Sequence, residues 1–146
     1  MAKQVTAVIP HLVVDDAAAA LEFYKKALGA EEVMRLPAED GKRLMHSEIK
    51  VGDARIFVRD AFPEHCEAGG KDGSPKAFGG TAVTLHLQVA NCDAAVKQAA
   101  AAGATVVLEP WDAFWGDRYA QVTDPFGHAW SFAHTLEAHT REKVPA

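Results

Sequence analysis

Two histidines occupy related positions in this chain and are its first candidates for chemistry. His11 lies in an apolar segment near the N-terminus, and His86 lies about 75 residues further on in a second apolar segment of similar pattern. A neutral imidazole can hydrogen-bond, transfer a proton near neutral pH or bind a metal. Three interpretations stay open: hydrogen-bonded residues of a wet cleft, proton transfer or hydrogen bonding with a ligand, and a two-histidine metal site whose third donor the substrate supplies.

A short aromatic segment is the second candidate. Residues 109–117 hold Trp111, Phe114 and Trp115, followed directly by Arg118. Large aromatic side chains commonly fill cores, and that role suits Trp111 and Phe114. Trp115, next to a glycine, could present its flat face to a planar ligand while the Arg118 guanidinium binds an oxygen or stacks.

Composition excludes several other classes of function. The net charge is −5 and the basic residues are scattered, so a nucleic-acid partner is not expected. The sequence has neither a glycine-rich phosphate loop nor a Gly-x-Ser-x-Gly elbow. No segment approaches the roughly 20 apolar residues that cross a bilayer, and no signal-like segment is present, so we expect no membrane partner and a cytoplasmic location. Cys66 and Cys92 are expected to be free thiols.

A duplicated unit must position these candidate residues. In each half an apolar strand leads to a polar helix cap, near Asp15 and Asp16 or near Asn91, and the helix ends at Gly29 or Gly103. The pattern predicts strands at 5–14, 33–36, 44–51 and 54–58 in the first half, and at 81–89, 105–108, 118–123 and 129–134 in the second. The prediction is a single domain over 1–146, with module one at 1–60, a linker at 61–80, module two at 81–136 and a tail at 137–146.

Two local motifs carry a resemblance to a known superfamily. Residues Val13-Val14-Asp15-Asp16 lead to Leu21-Glu22-Phe23-Tyr24, and Trp115-Gly116-Asp117-Arg118-Tyr119 leads to Asp124-Pro125-Phe126-Gly127-His128. Over nearly its whole length the chain resembles the vicinal oxygen chelate superfamily, which includes glyoxalase I, extradiol dioxygenases, fosfomycin-modifying enzymes and bleomycin-resistance proteins. The resemblance is strongest to the PhnB-like or bleomycin-resistance-like branch. It implies an α+β fold of two tandem β-α-β-β-β modules forming a concave mixed sheet, and a homodimer.

The resemblance also identifies the positions at which the superfamily's metalloenzymes carry ligands. In this chain those positions hold Ile9, Ile56, Thr84 and Ser131. An isoleucine has no electron pair to give to a cation, so we expect no metal cofactor. The alternative is a divalent metal near His11 and His86.

Strand alternation gives a prediction of which residues share the concave face. It places these residues there: Ile9, His11, Val13, Met45, Ser47, Ala54, Ile56, Val58, Thr84, His86, Gln88, Arg118, Ala120, Val122, Ala129, Ser131 and Ala133. It puts Glu48, with His46 and Lys50, on the opposite side, so that the predicted cleft contains no carboxylate.

The sequence thus predicts a small-molecule binding protein that resembles bleomycin-resistance proteins and holds a planar or peptidic ligand in a metal-free cleft. We expect no catalytic residue. The predicted ligand-binding residues are His11, Thr84, His86, Trp115, Arg118 and Ser131. The first alternative is a glyoxalase-like, metal-dependent lyase, isomerase or dioxygenase, and the second is a dimeric scaffold with a vestigial cleft.

Overall fold

The strands of this protein form two four-stranded sheets, one in each half of the chain. The computed structural model describes residues 3–66 and 71–137, so most of the predicted tail lies outside the described residues. The first half contains β1 (His11–Val14), α1 (Ala17–Leu28), β2 (Glu31–Pro37), β3 (Leu44–Val51) and β4 (Ala54–Asp60). A 3₁₀ turn (Pro63–His65) and the short helix α2 (Pro75–Phe78) follow. The second half contains β5 (Thr84–Gln88), α3 (Cys92–Ala102), β6 (Thr105–Asp112), β7 (Asp117–Thr123) and β8 (Ala129–Thr135).

Both halves have the same topology. The strand order is β1-β4-β3-β2 in the first sheet and β5-β8-β7-β6 in the second. In each sheet the first strand runs parallel to the last one, and the other pairs are antiparallel. This architecture confirms the predicted α+β fold of two tandem β-α-β-β-β modules. None of the helices in the described residues is long and apolar enough to cross a membrane.

Polar caps start both long helices where the sequence predicts them. The Asp16 carboxylate accepts the Ala19 N–H and the Asn91 side chain accepts the Ala94 N–H, both at 3.0 Å. Helix α1 ends at Gly29, whose φ of 68° is left-handed. A third carboxylate, that of buried Asp60, accepts the Ala17 N–H at 2.9 Å and the Leu44 N–H at 2.7 Å, so it joins the start of α1 to the start of β3.

The first predicted strand is shorter than expected. Residues 5–10 are not in a strand, and β1 begins only at His11. Val5 and Val8 are exposed, so no neighbouring element covers this segment in the chain. Pro10 has no N–H that could donate to a neighbouring strand, although its carbonyl accepts the Phe57 N–H at 2.9 Å. In the second half β6 runs beyond its predicted end at residue 108, to Asp112.

The core lies between the two sheets and is shared by both modules. Helices α1 and α3 pack against each other, and each helix also contacts the strands of its own sheet. The largest buried side chains are Trp130, Tyr24, Phe132, Leu21 and Ile49, which belong to one continuous cluster. Each sheet therefore has a helix face, turned toward α1 and α3, and an open face on its other side.

A buried carboxylate joins the modules. Asp124, 4% exposed, lies in the turn between β7 and β8. Its Oδ2 accepts the Tyr24 O–H at 2.6 Å and the Trp130 Nε1–H at 2.8 Å, and its Oδ1 accepts the N–H groups of Phe126 and His128 at 2.8 and 3.0 Å. Burial and the adjacent Asp124 charge raise the pKa of Tyr24 well above its ordinary value, so the phenol stays a donor.

We expect Asp124→Asn to lower the free energy of unfolding by about 2–4 kcal/mol, because an amide nitrogen would then face buried N–H or O–H donors. Tyr24→Phe should cost about 1–2 kcal/mol, because it removes one of the four donors. Urea unfolding followed by circular dichroism measures both values. The exposed turn variant Asp53→Asn is the control, and a loss in Asp124→Asn no larger than in this control would contradict the assigned role.

Candidate functional site

His86 is held in a fixed orientation on the open face of the second sheet. Its Nδ1 lies 2.7 Å from the Ser131 Oγ, and its Nε2 lies 2.5 Å from the Gln88 Oε1. The parallel pairing of β5 with β8 sets His86 opposite Ser131, which brings the two side chains together. Ser131 is 2% exposed, whereas His86 and Gln88 are exposed. One ring edge is thus anchored to the sheet while the imidazole remains accessible.

Aromatic rings extend this arrangement along the same face. The Tyr119 ring stacks on His86 with 6.1 Å between centroids and 18° between planes. Trp115 meets Tyr119 edge-to-face at 5.6 Å, and its Nε1–H donates to the Asp117 carboxylate at 3.2 Å. We refer to Trp115, Tyr119, His86, Gln88 and Ser131 together as the second-sheet site. This site combines flat apolar surface with neutral hydrogen-bonding groups.

Tyr119 was missed by the sequence analysis, and Gln88 was predicted on the concave face but not among the ligand-binding residues. Tyr119 lies in the motif that carries the superfamily resemblance. Its side chain is on the face of β7 opposite to the buried side chains of Ala120 and Val122. That alternation was the signal that could have identified it. Gln88 follows His86 at the spacing that places both side chains on one face of a strand. Gln121, on the same face, donates from Nε2 to the Tyr119 hydroxyl at 2.9 Å.

The predicted position of Arg118 on the concave face is wrong. Its guanidinium lies on the helix-face side, where it donates to the Asp93 carboxylate of α3 at 2.7 and 3.1 Å and to Asp112 at 2.8 Å. These two carboxylates raise the pKa of Arg118 further above its ordinary value. Ala120 and Val122, predicted to share the cleft with it, are buried in the core. The predicted alternation of side chains along β7 is therefore wrong by one residue, and the Tyr119 side chain lies on the open face.

The same one-residue error affects the first sheet. Ser47, Ile56 and Val58 are buried beneath α1, and the Ser47 hydroxyl donates to the Val58 carbonyl at 2.6 Å. His46 and Glu48, predicted on the opposite side from His11, share its face instead. The rings of His11 and His46 are 6.1 Å apart.

The open face of the first sheet carries a second polar and aromatic cluster. Phe57 packs edge-to-face against His11 at 5.6 Å and against His46 at 4.7 Å. The Arg55 guanidinium lies 5.4 Å from the Phe57 ring centroid and donates to Glu48 at 3.0 and 3.1 Å. This ion pair lowers the pKa of Glu48, so the face carries a carboxylate that the sequence analysis placed elsewhere.

Burial and positive charge keep His11 neutral. Burial is the largest cause that lowers its pKa, followed by the charges of Arg59 and His46, while Asp72 acts in the opposite direction. Arg59 is itself held by two hydrogen bonds of 2.7 Å to the Asp72 carboxylate, and this pairing lowers the pKa of Asp72 to about 2. His11 therefore offers an unprotonated nitrogen at neutral pH.

Each predicted histidine has its own set of neighbours. His11 contacts His46 and Phe57, whereas His86 contacts Ser131, Gln88 and Tyr119. The approach of His11 to His86 across one cleft stays a prediction. Thr84 is exposed on β5, two residues before His86 and on the same face.

The residues at the superfamily's metal positions do not fit a divalent cation. Ile56 lies in the core, and the hydroxyl of buried Ser131 is engaged with His86. Across the described ranges 3–66 and 71–137, no three His, Cys, Asp or Glu side chains converge as a metal ion requires.

Comparison with known proteins places this geometry in context. A model of the Glyoxalase/Bleomycin resistance protein/Dioxygenase superfamily matches residues 4–132. Uncharacterized proteins from Mycobacterium bovis and Mycobacterium tuberculosis are 45% identical over 140 residues, covering 96% of this chain and 90% and 81% of the relatives. A solved gene product of Arabidopsis thaliana is 30% identical with a TM-score of 0.68, covering 88% of this chain and 98% of its own. TioX from Micromonospora sp. ML1 is 25% identical with a TM-score of 0.69, covering 90% and 100%.

The electrostatics of the first sheet predict how His11 titrates. We expect its pKa to lie below the ordinary histidine value and to rise in Arg59→Gln, because that change removes a positive charge and frees the Asp72 carboxylate. An NMR titration of the imidazole carbon-bound protons measures the pKa. Arg55→Gln, four residues from Arg59 on the same strand face, is the control and should leave the pKa of His11 unchanged. Equal changes of the His11 pKa in the two variants would contradict the role assigned to Arg59.

Proposed function

Since this chain belongs to the Glyoxalase/Bleomycin resistance protein/Dioxygenase superfamily, we propose that it binds a planar or peptidic small molecule at the second-sheet site without a metal. The observation that carries the proposal is the fixed row formed by Trp115, Tyr119 and His86. Trp115 stacks on the ligand, and His86 orients the ligand's polar groups. Thr84 lies beside them on β5.

The fixed orientation of His86 supports a role in recognition. Both ring nitrogens have partners, and Tyr119 covers one flat side, so few orientations remain for the imidazole. A side chain that is already ordered loses little conformational entropy when a ligand binds. Gln88 is exposed and can exchange its hydrogen bond to Nε2 for one to the ligand.

The chemistry of the second-sheet site favours a neutral, flat ligand. Its hydrogen-bonding groups are an imidazole, an amide and hydroxyls; the nearby Arg118 charge is taken by Asp93 and Asp112, and the one adjacent carboxylate, that of Asp117, accepts the Trp115 Nε1–H. A drug-sized ligand that buries a planar group against aromatic rings and makes a few hydrogen bonds reaches about micromolar affinity.

A second candidate is a glyoxalase-like lyase, isomerase or dioxygenase that depends on a metal. The observation that favours it is the pair of imidazoles of His11 and His46, whose rings lie 6.1 Å apart on one face and to which the substrate would have to add a third donor. Metal analysis of protein purified without a chelator separates the candidates. Stoichiometric nickel, zinc, iron or manganese that is lost in His11→Ala would support the enzyme, and a metal content far below stoichiometric would support the binding protein.

We propose that the protein is a homodimer in which a second copy covers part of the open faces. Exposed apolar side chains on the outer strands support this: Val33 and Leu36 on β2, and Val107 and Leu108 on β6. Exposed apolar surface together with unpaired strand edges favours association between copies. A cytoplasmic location also stays a prediction.

Sedimentation equilibrium should therefore give the mass of two chains at tens of micromolar, the range expected for an interface of about 1,000 Å² or more. Val107→Lys should shift the equilibrium toward the monomer, because it places a charge on the exposed apolar strand. Val5→Lys, at an exposed valine outside the strands, is the control. A single-chain mass for the unmodified protein at these concentrations would contradict the dimer.

The stacking role of Trp115 is tested with a panel of planar heteroaromatic compounds that includes metal-free bleomycin. Trp115→Ala should weaken binding of the panel's hits by about 1–3 kcal/mol, the usual cost of losing a stacked aromatic at a binding hot spot. The melting temperature without ligand should change little, because Trp115 is only half-buried. Thermal melts with and without each compound measure both effects.

The control for this experiment is Phe114→Ala. Phe114 is 88% exposed and touches Trp115 from outside the second-sheet site, at 5.1 Å between ring centroids. Its loss should leave ligand protection intact. A large drop in the ligand-free melting temperature of Trp115→Ala would show that Trp115 supports the fold instead. A panel that stabilises nothing would favour the scaffold with a vestigial cleft.

A further inference from the structure

A cavity of about 640 Å³ lies at the end of the first sheet, away from the second-sheet site. It forms where the β2–β3 connection meets the segment that follows β4. The cavity is lined by Ala38, Glu39, Asp40, Arg43, Met45, Phe62 and His65. Its volume is that of a site for a small molecule, which usually measures about 300–1,000 Å³.

The apolar part of this cavity is open to solvent. The Met45 side chain is 53% exposed, and Phe62 is half-buried. The Arg43 guanidinium lies 4.3 Å from the Phe62 ring centroid, and the His65 ring lies 6.0 Å from it at a tilt of 34°. Phe62 is thus positioned by its neighbours and offers a flat surface to a ligand.

The hydrogen-bonding capacity of Arg43 is already used. Its Nε–H donates to Asp40 at 2.7 Å, and its two terminal nitrogens donate to Glu64 at 3.1 and 2.5 Å. One of them also donates to the Ala61 carbonyl at 3.3 Å. A guanidinium with these partners has little left with which to bind an anionic ligand.

The remaining charge of the cavity is negative. Pairing with Arg43 lowers the pKa of Asp40 and that of Glu64 to about 2, so both are ionised at neutral pH. Glu39 is the second carboxylate on the lining, beside Asp40, whereas Glu64 pairs with Arg43 without lining the cavity; Glu39 makes no ion pair with any of the described residues. Lys42 belongs to the same turn, but it does not line the cavity. Two carboxylates thus compensate the guanidinium, and Glu39 adds an unpaired negative charge to the lining, which favours a cation over a neutral or anionic ligand.

We propose that this cavity binds a small organic cation with a flat aromatic group. The aromatic group packs on Phe62 and Met45, and the ammonium lies near the carboxylates of Glu39 and Asp40. A positive charge beside an aromatic ring also gains from the ring's negative face. This site differs from the second-sheet site in its residues and in the charge of its ligand.

Three indole compounds that differ in charge test the proposal. Tryptamine carries an ammonium, 3-methylindole is neutral and indole-3-acetate carries a carboxylate. In ¹H–¹⁵N correlation spectra of the full chain, tryptamine should shift the amide signals of Glu39, Arg43 and Phe62. It should bind about tenfold more tightly than 3-methylindole, a difference of about 1.4 kcal/mol. Indole-3-acetate should produce no shift at these residues.

Substitutions separate the charge from the aromatic surface. Glu39→Gln should weaken tryptamine binding about threefold or more without changing the spectrum elsewhere, since Glu39 is exposed. Glu31→Gln removes the same charge at the other end of the β2–β3 pair and should leave the affinity for tryptamine unchanged. Phe62→Leu keeps an apolar side chain but removes the ring, so it should weaken tryptamine and 3-methylindole alike.

Two results would overturn the proposal. Similar affinities for all three compounds would show that charge plays no part. Tryptamine shifts centred on Trp115 and Tyr119, and lost in Trp115→Ala, would place the compound in the second-sheet site. Because the variants of the two sites do not overlap, failure here leaves the proposed function separately testable.

Discussion

The hydrogen bonds of the buried Asp124 carboxylate determine how the two modules of this protein fit together. An ionised carboxylate in the core is costly unless donors surround it, and here Tyr24 from the first module is one of four. That bond holds α1 against the β7–β8 turn. The helix faces of both sheets consequently meet in one core, and each sheet keeps an open face on its other side. The open faces that carry the polar and aromatic clusters are the sides left uncovered by this core.

The sequence was sufficient for the order of elements and insufficient for the faces of several strands. The helix caps Asp16 and Asn91 and the end of α1 at Gly29 involve only residues that are close in the sequence. They can therefore be predicted from the local pattern. Strand faces depend on what packs above them. In β3 apolar residues occur in both phases of the alternation, and the buried Ser47 satisfies its hydroxyl on the Val58 carbonyl. Ser47 is polar and was placed on the cleft face, but its side chain is buried. The predicted face of β3 is therefore wrong by one residue.

The sites also depend on contacts between residues far apart in the chain. His86 was identifiable by type, but its link to Ser131 required the register between β5 and β8. The anionic cavity forms because Arg43 meets Glu64, which is 21 residues away in the sequence. No local pattern predicts that contact. The two sites consequently differ in character: the second-sheet site is aromatic and neutral, and the cavity is negatively charged. One superfamily fold thus provides surfaces suited to ligands of different charge.

We propose that ligand recognition occurs on the open face of the second sheet through its aromatic row. A crystal structure of the protein with a bound planar heteroaromatic compound tests it most directly, with anomalous data recorded to locate any transition metal. We expect electron density stacked on Trp115, within hydrogen-bonding distance of His86 and with no metal peak beside it. A ligand coordinated to a metal at His11 and His46, or bound away from the second sheet altogether, would contradict it.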